Sequence, residues 1–128
     1  MYDLLDGMRI LEGSAFVAAP LGGMTLAQMG ADVIRFDDVN GGLDHDRWPV
    51  TSNGASIYWA GMNKGKRSIL VDVRSDEGRE LLSAIATAPG KDAGMFLTNL
   101  PARGWSAFKS LKAKRHDMIM VALTGARD

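Results

Sequence analysis

Four groups of residues are of types that could do chemistry. The densest is the stretch NKGKRSILVDVR, Asn63 to Arg74. Lys64, Lys66 and Arg67 crowd its start and Arg74 closes it, a composition that suits an anionic ligand such as a phosphate. Asp44-His45-Asp46 has the types for proton transfer or for a metal. No other residues supply metal-ligand spacing, and a solvated loop accounts for the triplet. His116 follows a Lys/Arg run near a helix end, where a cation suits the dipole, and it is assigned no chemistry. The fourth group is the turn EGSAFVAAPLGG, Glu12 to Gly23. It is not G-x-G-x-x-G: Ser14, Ala15 and Phe16 follow Gly13, so the second glycine that lets backbone approach a pyrophosphate is absent. Asp37 imitates the ribose-binding acid of that motif, but a lone acid at a strand end is also a common turn former. Gly22-Gly23 inside a helix costs helix stability and points to close packing on the sheet or on a ligand, packing being the simpler reading. No G-x-S-x-G elbow, P-loop or H-E-x-x-H occurs.

Composition narrows the field further. The 128 residues fit one domain or a piece of a larger one. Acids and bases balance at 15 each, so no bulk attraction to nucleic acid or to a membrane surface is expected. With no cysteine, thiolate nucleophiles, disulfides and Cys-based metal sites are excluded. The first residues are acidic and lack the basic-then-apolar order of a signal peptide, and no apolar run is long enough to span a bilayer. A cytoplasmic protein is the expectation.

The elements that must position these residues alternate. The sequence predicts strands at Met8–Glu12, Asp32–Phe36, Ser68–Val73, Gly94–Thr98 and Met118–Leu123. Helices are predicted at Pro20–Met29, capped by Gly30, from Ser75 to about Ala88, and at Ser106–Arg115. Asp37 to Ala55 reads as a long polar loop, and Ile57–Met62 is ambiguous. Alternating strands and helices imply a parallel sheet, and strands apolar on both faces imply helices on both sides. The expected fold is α/β, a Rossmann-like doubly wound parallel sheet; α+β with similar elements is the alternative.

In such sheets ligands bind beyond the carboxyl ends of the strands. That edge would carry Gly13–Ala18, Asp37–Asp38, Val73–Arg74, Asn99–Arg103 and Thr124–Gly125. Lys64, Lys66 and Arg67 would lie at the opposite edge, as a solvated loop or as a brace for a loop or interface. Lys66 and Arg74 would stand roughly 25 Å apart, too far for one phosphate to touch both. Position therefore favours Arg74 as the ligand residue.

The segments LDGMRILEGSAFVAAPLGGMTLAQMGADVIRFD, NKGKRSILVDVRSDEGRELL and FLTN together resemble the amino-terminal part of the family III CoA-transferases, the formyl-CoA transferase type. The first segment is most similar to members that shift CoA within one substrate, the mesaconyl-CoA C1–C4 subgroup. The resemblance implies covalent catalysis in which an aspartate attacks an acyl-CoA thioester, followed by an aspartyl-CoA thioester. It implies an interlocked homodimer, acyl-CoA and carboxylate partners, and coenzyme A along the sheet edge, with no metal, nucleic acid or membrane.

Carried over by position, the CoA-contacting residues would be Val17, Ala18, Asp38, Val71, Asp72, Val73, Arg74, Asn99, Leu100 and Pro101, with Arg103 carried across a shortened segment. Two departures stand out. Asp38 replaces a basic residue that covers adenine in many members, so no cation–π contact is available there. Val17 replaces a glutamine found in some. The nucleophilic aspartate would fall beyond Asp128, so no catalytic residue is assigned within this chain, and residues 1–128 would be the Rossmann-like CoA-binding portion without the small domain and carboxyl-terminal part. A non-catalytic CoA- or nucleotide-binding module and a dimerisation module are the alternatives; a plain NAD-binding domain is disfavoured by the missing glycine pattern.

Overall fold

The computed structural model describes residues 3–125. Five parallel strands, β1 (Arg9–Gly13), β2 (Asp32–Asp37), β3 (Arg67–Leu70), β4 (Met95–Thr98) and β5 (Ile119–Ala122), form one sheet in the order β3-β2-β1-β4-β5. Four α-helices connect them: α1 (Ala18–Gln28), α2 (Ile57–Met62), α3 (Asp76–Ala86) and α4 (Phe108–Lys114), the last preceded by a 3-10 turn at Gly104–Ser106. Side-chain alternation divides the sheet into two faces. Ile10, Val33 and Leu97 pack with Ala19 and Ala27 of α1. Their neighbours Leu11, Ile34 and Phe96 pack with Leu82 and Ala86 of α3 and Leu111 of α4. Helices thus cover both faces, as the doubly wound expectation requires, and each fully buried Leu contributes about 1.5–3 kcal/mol. No helix among the described residues is long and apolar enough to cross a membrane.

Local signals set most boundaries. Gly30 takes φ 107 and closes α1, with its N–H on the Ala27 carbonyl and the Ala31 N–H on the Leu26 carbonyl. Pro20 stands in the first turn of α1, where an N–H has no intrahelical partner to lose. The Ser75 hydroxyl caps α3 by accepting from the Gly78 N–H at 2.9 Å, with Asp76 and Glu77 in the first turn.

Two expectations need correction. The third strand ends at Leu70 rather than Val73, because Asp72 turns the chain: its carboxylate accepts from the Arg74 N–H and its carbonyl from Ser75. The last helix does not run from Ser106. The Ser106 hydroxyl bonds the Arg103 N–H and carbonyl, and Ala107 is extended, which splits the segment in two. Strand β5 is covered on one side only among the described residues. Met118 is buried and Met120 packs on the core, whereas Ile119 and Val121 are 55% and 51% exposed.

The α3 cap gives a direct test. Ser75→Ala should cost about 1 kcal/mol in urea unfolding, with the slope unchanged. Gly78→Ala should cost more, because its Cβ would stand 2.0 Å from the Asp72 carbonyl oxygen.

Candidate functional site

A cleft of about 580 Å³ opens beyond the carboxyl ends of β1, β2 and β4. The strand order reverses between β1 and β4, and open α/β sheets bind ligands at such a switch point. Its base is aromatic. Phe36, Phe96 and Trp105 pack together with ring centroids 5.8 to 6.4 Å apart. Gly13 makes room for this group, since a Cβ there would meet the Phe36 ring at 2.5 Å. One wall is the loop Gly41, Gly42 and Leu43; the facing wall is Leu100, Pro101 and the turn from Arg103. Two arginines line the cleft, Arg79 and Arg103. Arg79 donates Nε to the Val73 carbonyl at 3.0 Å, which orients its guanidinium while leaving Nη2 for an anion.

The residues assigned from sequence divide. Asp38, Val73, Leu100, Pro101 and Arg103 line the cleft. Val17 caps α1 and Ala18 begins it, both exposed beside the cleft rather than lining it. Val71 belongs to the core under α3, and Asp72 is spent on its turn. Arg74 is exposed and does not line the cleft. Asn99 braces the neighbouring backbone: its side chain accepts from the Ala15 N–H at 2.9 Å and donates to the Ala15 carbonyl at 2.7 Å. Arg79 and Trp105 were missed, because both owe their place to turns the strand pattern does not mark.

The basic cluster does not behave as a unit. Lys64 is exposed. Arg67 makes a two-pronged pair with Asp32 at the sheet rim, at 2.8 and 2.7 Å. Lys66 follows the bracing alternative rather than the solvated-loop one: its side chain is 1% exposed. Its ammonium donates to Glu12 Oε2 at 2.7 Å, to the Pro20 carbonyl at 2.8 Å and to Asn63 Oδ1 at 2.8 Å. All three hydrogens of the ammonium are thereby used. Lys66 braces β1 and α1 from within.

Asp44 overturns the solvated reading of its triplet in the same way. It is fully buried and accepts from Arg35 Nη2 at 2.7 Å and from the Phe16 N–H at 2.8 Å. His45 and Asp46 do remain at the surface. Arg35 also grips Asp37 through Nε and Nη2, both at 3.0 Å, and Asn63 through Nη1 at 2.9 Å. Burial alone would lower the Arg35 pKa, but Asp37 and Asp44 together outweigh it and raise the value. Burial dominates at the other pair: it pushes the Glu12 carboxyl up and the Lys66 ammonium down, against their mutual attraction.

These contacts fix the turn from β1 into α1. The Ser14 hydroxyl donates to Glu12 Oε2 at 2.7 Å, Ala15 is held by Asn99 and Phe16 by Asp44. Phe16 sits at φ 68, a strained value for a bulky residue. The glycine pair resolves unequally. A Cβ at Gly23 would fall 1.5 Å from Glu12 Oε1, whereas Gly22 faces only Leu97 at 3.9 Å. Packing on the sheet, not a ligand, explains Gly23. Among the described residues no cluster of three His, Asp or Glu side chains could hold a metal.

Comparison with known proteins bears on this arrangement. The family model described as CoA-transferase family III matches residues 5–125. A 2-methylfumaryl-CoA isomerase of Chloroflexus aurantiacus is 62% identical over 129 positions, covering 100% of this chain and 32% of that protein. A succinate–glutarate CoA-transferase of Agrobacterium fabrum is 30% identical, covering 94% and 32%. Among solved structures, a CAIB/BAIF family protein from Brucella suis superposes with a TM-score of 0.80 at 32% identity, covering 94% of this chain and 33% of that one. The chain spans about a third of the length of these relatives.

The Glu12–Lys66 pair yields a test. Lys66→Met strands a buried carboxylate and should cost roughly 3–5 kcal/mol, much of it recovered by adding Glu12→Gln. The single variant also widens the pH signature of the Glu12 carboxyl. The native Glu12 carboxyl, already above its ordinary 4.5, rises further and keeps a proton that the unfolded chain has released. Stability therefore falls as pH climbs from 4.5 through the raised folded value. Melting temperatures across that range should show this slope in Lys66→Met and not in the double variant.

Proposed function

The chain belongs to CoA-transferase family III, and from that membership we propose that it supplies the CoA-cradling part of an enzyme that moves coenzyme A between the two carboxyl groups of one small dicarboxylic acid. The observation that carries this reading is the 62% identity, over the whole chain, to a 2-methylfumaryl-CoA isomerase. 2-Methylfumarate is mesaconate, so the subgroup resemblance points to the same substrate class. The cleft is compatible with the ligand: an aromatic base for an adenine ring and two arginines for phosphates.

In the proposed chemistry an aspartate outside residues 1–128 attacks the thioester carbonyl and expels CoA thiolate, giving a mixed anhydride. The thiolate then attacks the aspartyl carbonyl and releases the dicarboxylate. The other carboxylate of that product attacks the aspartyl thioester, and the same thiolate closes the isomeric thioester while freeing the aspartate. Asp37, which lines the cleft, and the buried Asp44 are poorly suited to the nucleophile's role. Asp37 and Asp44 both accept hydrogen bonds from the Arg35 guanidinium, which ties up the electron pairs an attack needs. The proposed assembly is a homodimer, and the exposed Ile119 and Val121 are apolar surface that further polypeptide could cover.

Regiochemistry provides the test. The full-length protein incubated with 2-methylfumaryl-CoA alone should interconvert the two thioester isomers, resolved by liquid chromatography. A strict need for an added carboxylate acceptor would move the assignment to intermolecular transfer, and no turnover in either format would remove it. For the ligand site, Arg79→Ala and Arg103→Ala should each weaken CoA binding on the order of tenfold. Arg74→Ala should cost less, and the reverse ranking would return the phosphate site to Arg74.

A further inference from the structure

One residue of the polar loop between β2 and α2 is wholly buried while its neighbours are not. Asp44 is 0% exposed, whereas Leu43, His45, Asp46 and Arg47 are exposed. Its two carboxylate oxygens go to two different elements, Oδ1 to Arg35 on β2 and Oδ2 to the Phe16 N–H at the start of α1. The loop is pressed closely at the same place. A Cβ at Gly42 would stand 2.2 Å from Asp37 Oδ1 and 3.1 Å from Arg35 Nη2. Arg47 completes the contact from above, its guanidinium 5.1 Å from the Phe16 ring centroid and 4.8 Å from that of Tyr58. Gly41, Gly42 and Leu43 form a wall of the ligand cleft, and Ser14 and Ala15 border it from β1.

We propose that Asp44 is a positioning residue for the cleft: by bonding Arg35 and the Phe16 N–H together, it sets the distance between the Gly41–Leu43 wall and the Ser14–Phe16 turn. This deepens the CoA reading of the cleft and rests on it. A carboxylate is required because both partners are donors. Asparagine offers one acceptor and one N–H₂, so one of the two contacts must set donor against donor. Glutamate keeps the charge but adds a methylene, which moves the wall outward.

The test is Asp44→Asn in the full-length protein, beside Asp46→Asn as a surface control. Two measurements are made, CoA affinity by calorimetry and the rate of tryptic cleavage after Arg47. Asp44→Asn should bind CoA on the order of tenfold more weakly and should be cut several-fold faster, while Asp46→Asn matches the wild type in both. Unchanged CoA affinity in Asp44→Asn overturns the proposal, even if cleavage is faster, because the residue then holds the loop without shaping the cleft. Should the wild type bind no CoA, the reading of the cleft fails instead; faster cleavage still supports the fastening role and equal cleavage overturns it. Gly42→Ala covers the case in which Asp44→Asn does not fold. It lifts the same loop with Asp44 intact and should shift both measurements in the same direction, and wild-type values in both would overturn the proposal.

Discussion

The guanidinium of Arg35, buried in the central part of the sheet, imposes its needs on everything around it. A carboxylic acid or an amine can lose its charge on burial; an arginine does not. It therefore has to find anions and acceptors inside the protein. Asp37 comes from the same strand, Asn63 from the end of α2 and Asp44 from the long loop, and the Trp59 ring lies 5.4 Å away. Four of the five N–H donors are used in this way. The loop after β2, which its composition would leave in solvent, is bound to the sheet by this demand. Asn63 then passes the organisation on, because its Oδ1 also accepts from Lys66, which in turn holds Glu12 and the first turn of α1.

Two environments meet at the carboxyl edge of the sheet. On the α3 side the residues are aromatic and make the base of the cleft, Phe36 with Phe96 and Trp105. On the α1 side they are charged, and Glu12, Arg35, Asp37, Asp44 and Lys66 lie almost without exposure. Replacing such ionic groups by well-packed apolar ones is often neutral or stabilising. What an apolar core would not supply is direction. Each of these contacts fixes a donor against an acceptor, and together they hold the backbone of Ser14, Ala15 and Phe16 in one conformation, strain at Phe16 included.

Much of the scaffold could be read from the sequence because it rests on local rules. Strands and helices alternate, Gly30 and Ser75 stop and start helices as their chemistry requires, and Asp38, Val73, Leu100, Pro101 and Arg103 do reach the cleft edge. The burial of Lys66 and Asp44 was not legible in the sequence, because the partners that fix them are remote. Lys66 and Glu12 are 54 positions apart, and Asp44 and Phe16 are 28 apart. In a composition balanced between acids and bases nothing distinguishes such a pair from surface charge. Arg79 and Trp105 escaped for a different reason. Asp72 ends the third strand early and Ser106 interrupts the last helix, and these two short-range side-chain bonds decide what lines the cleft.

The carboxylate of Glu12 occupies the volume in which a side chain at position 23 would begin. Substitutions at the two sites are therefore coupled. A β-carbon at Gly23 requires the Glu12 carboxylate to move out of that volume or to be shortened. Loss of Glu12 in turn leaves Lys66 without its anion, so selection then acts on position 66. Residues 12, 23 and 66 should therefore vary together rather than independently.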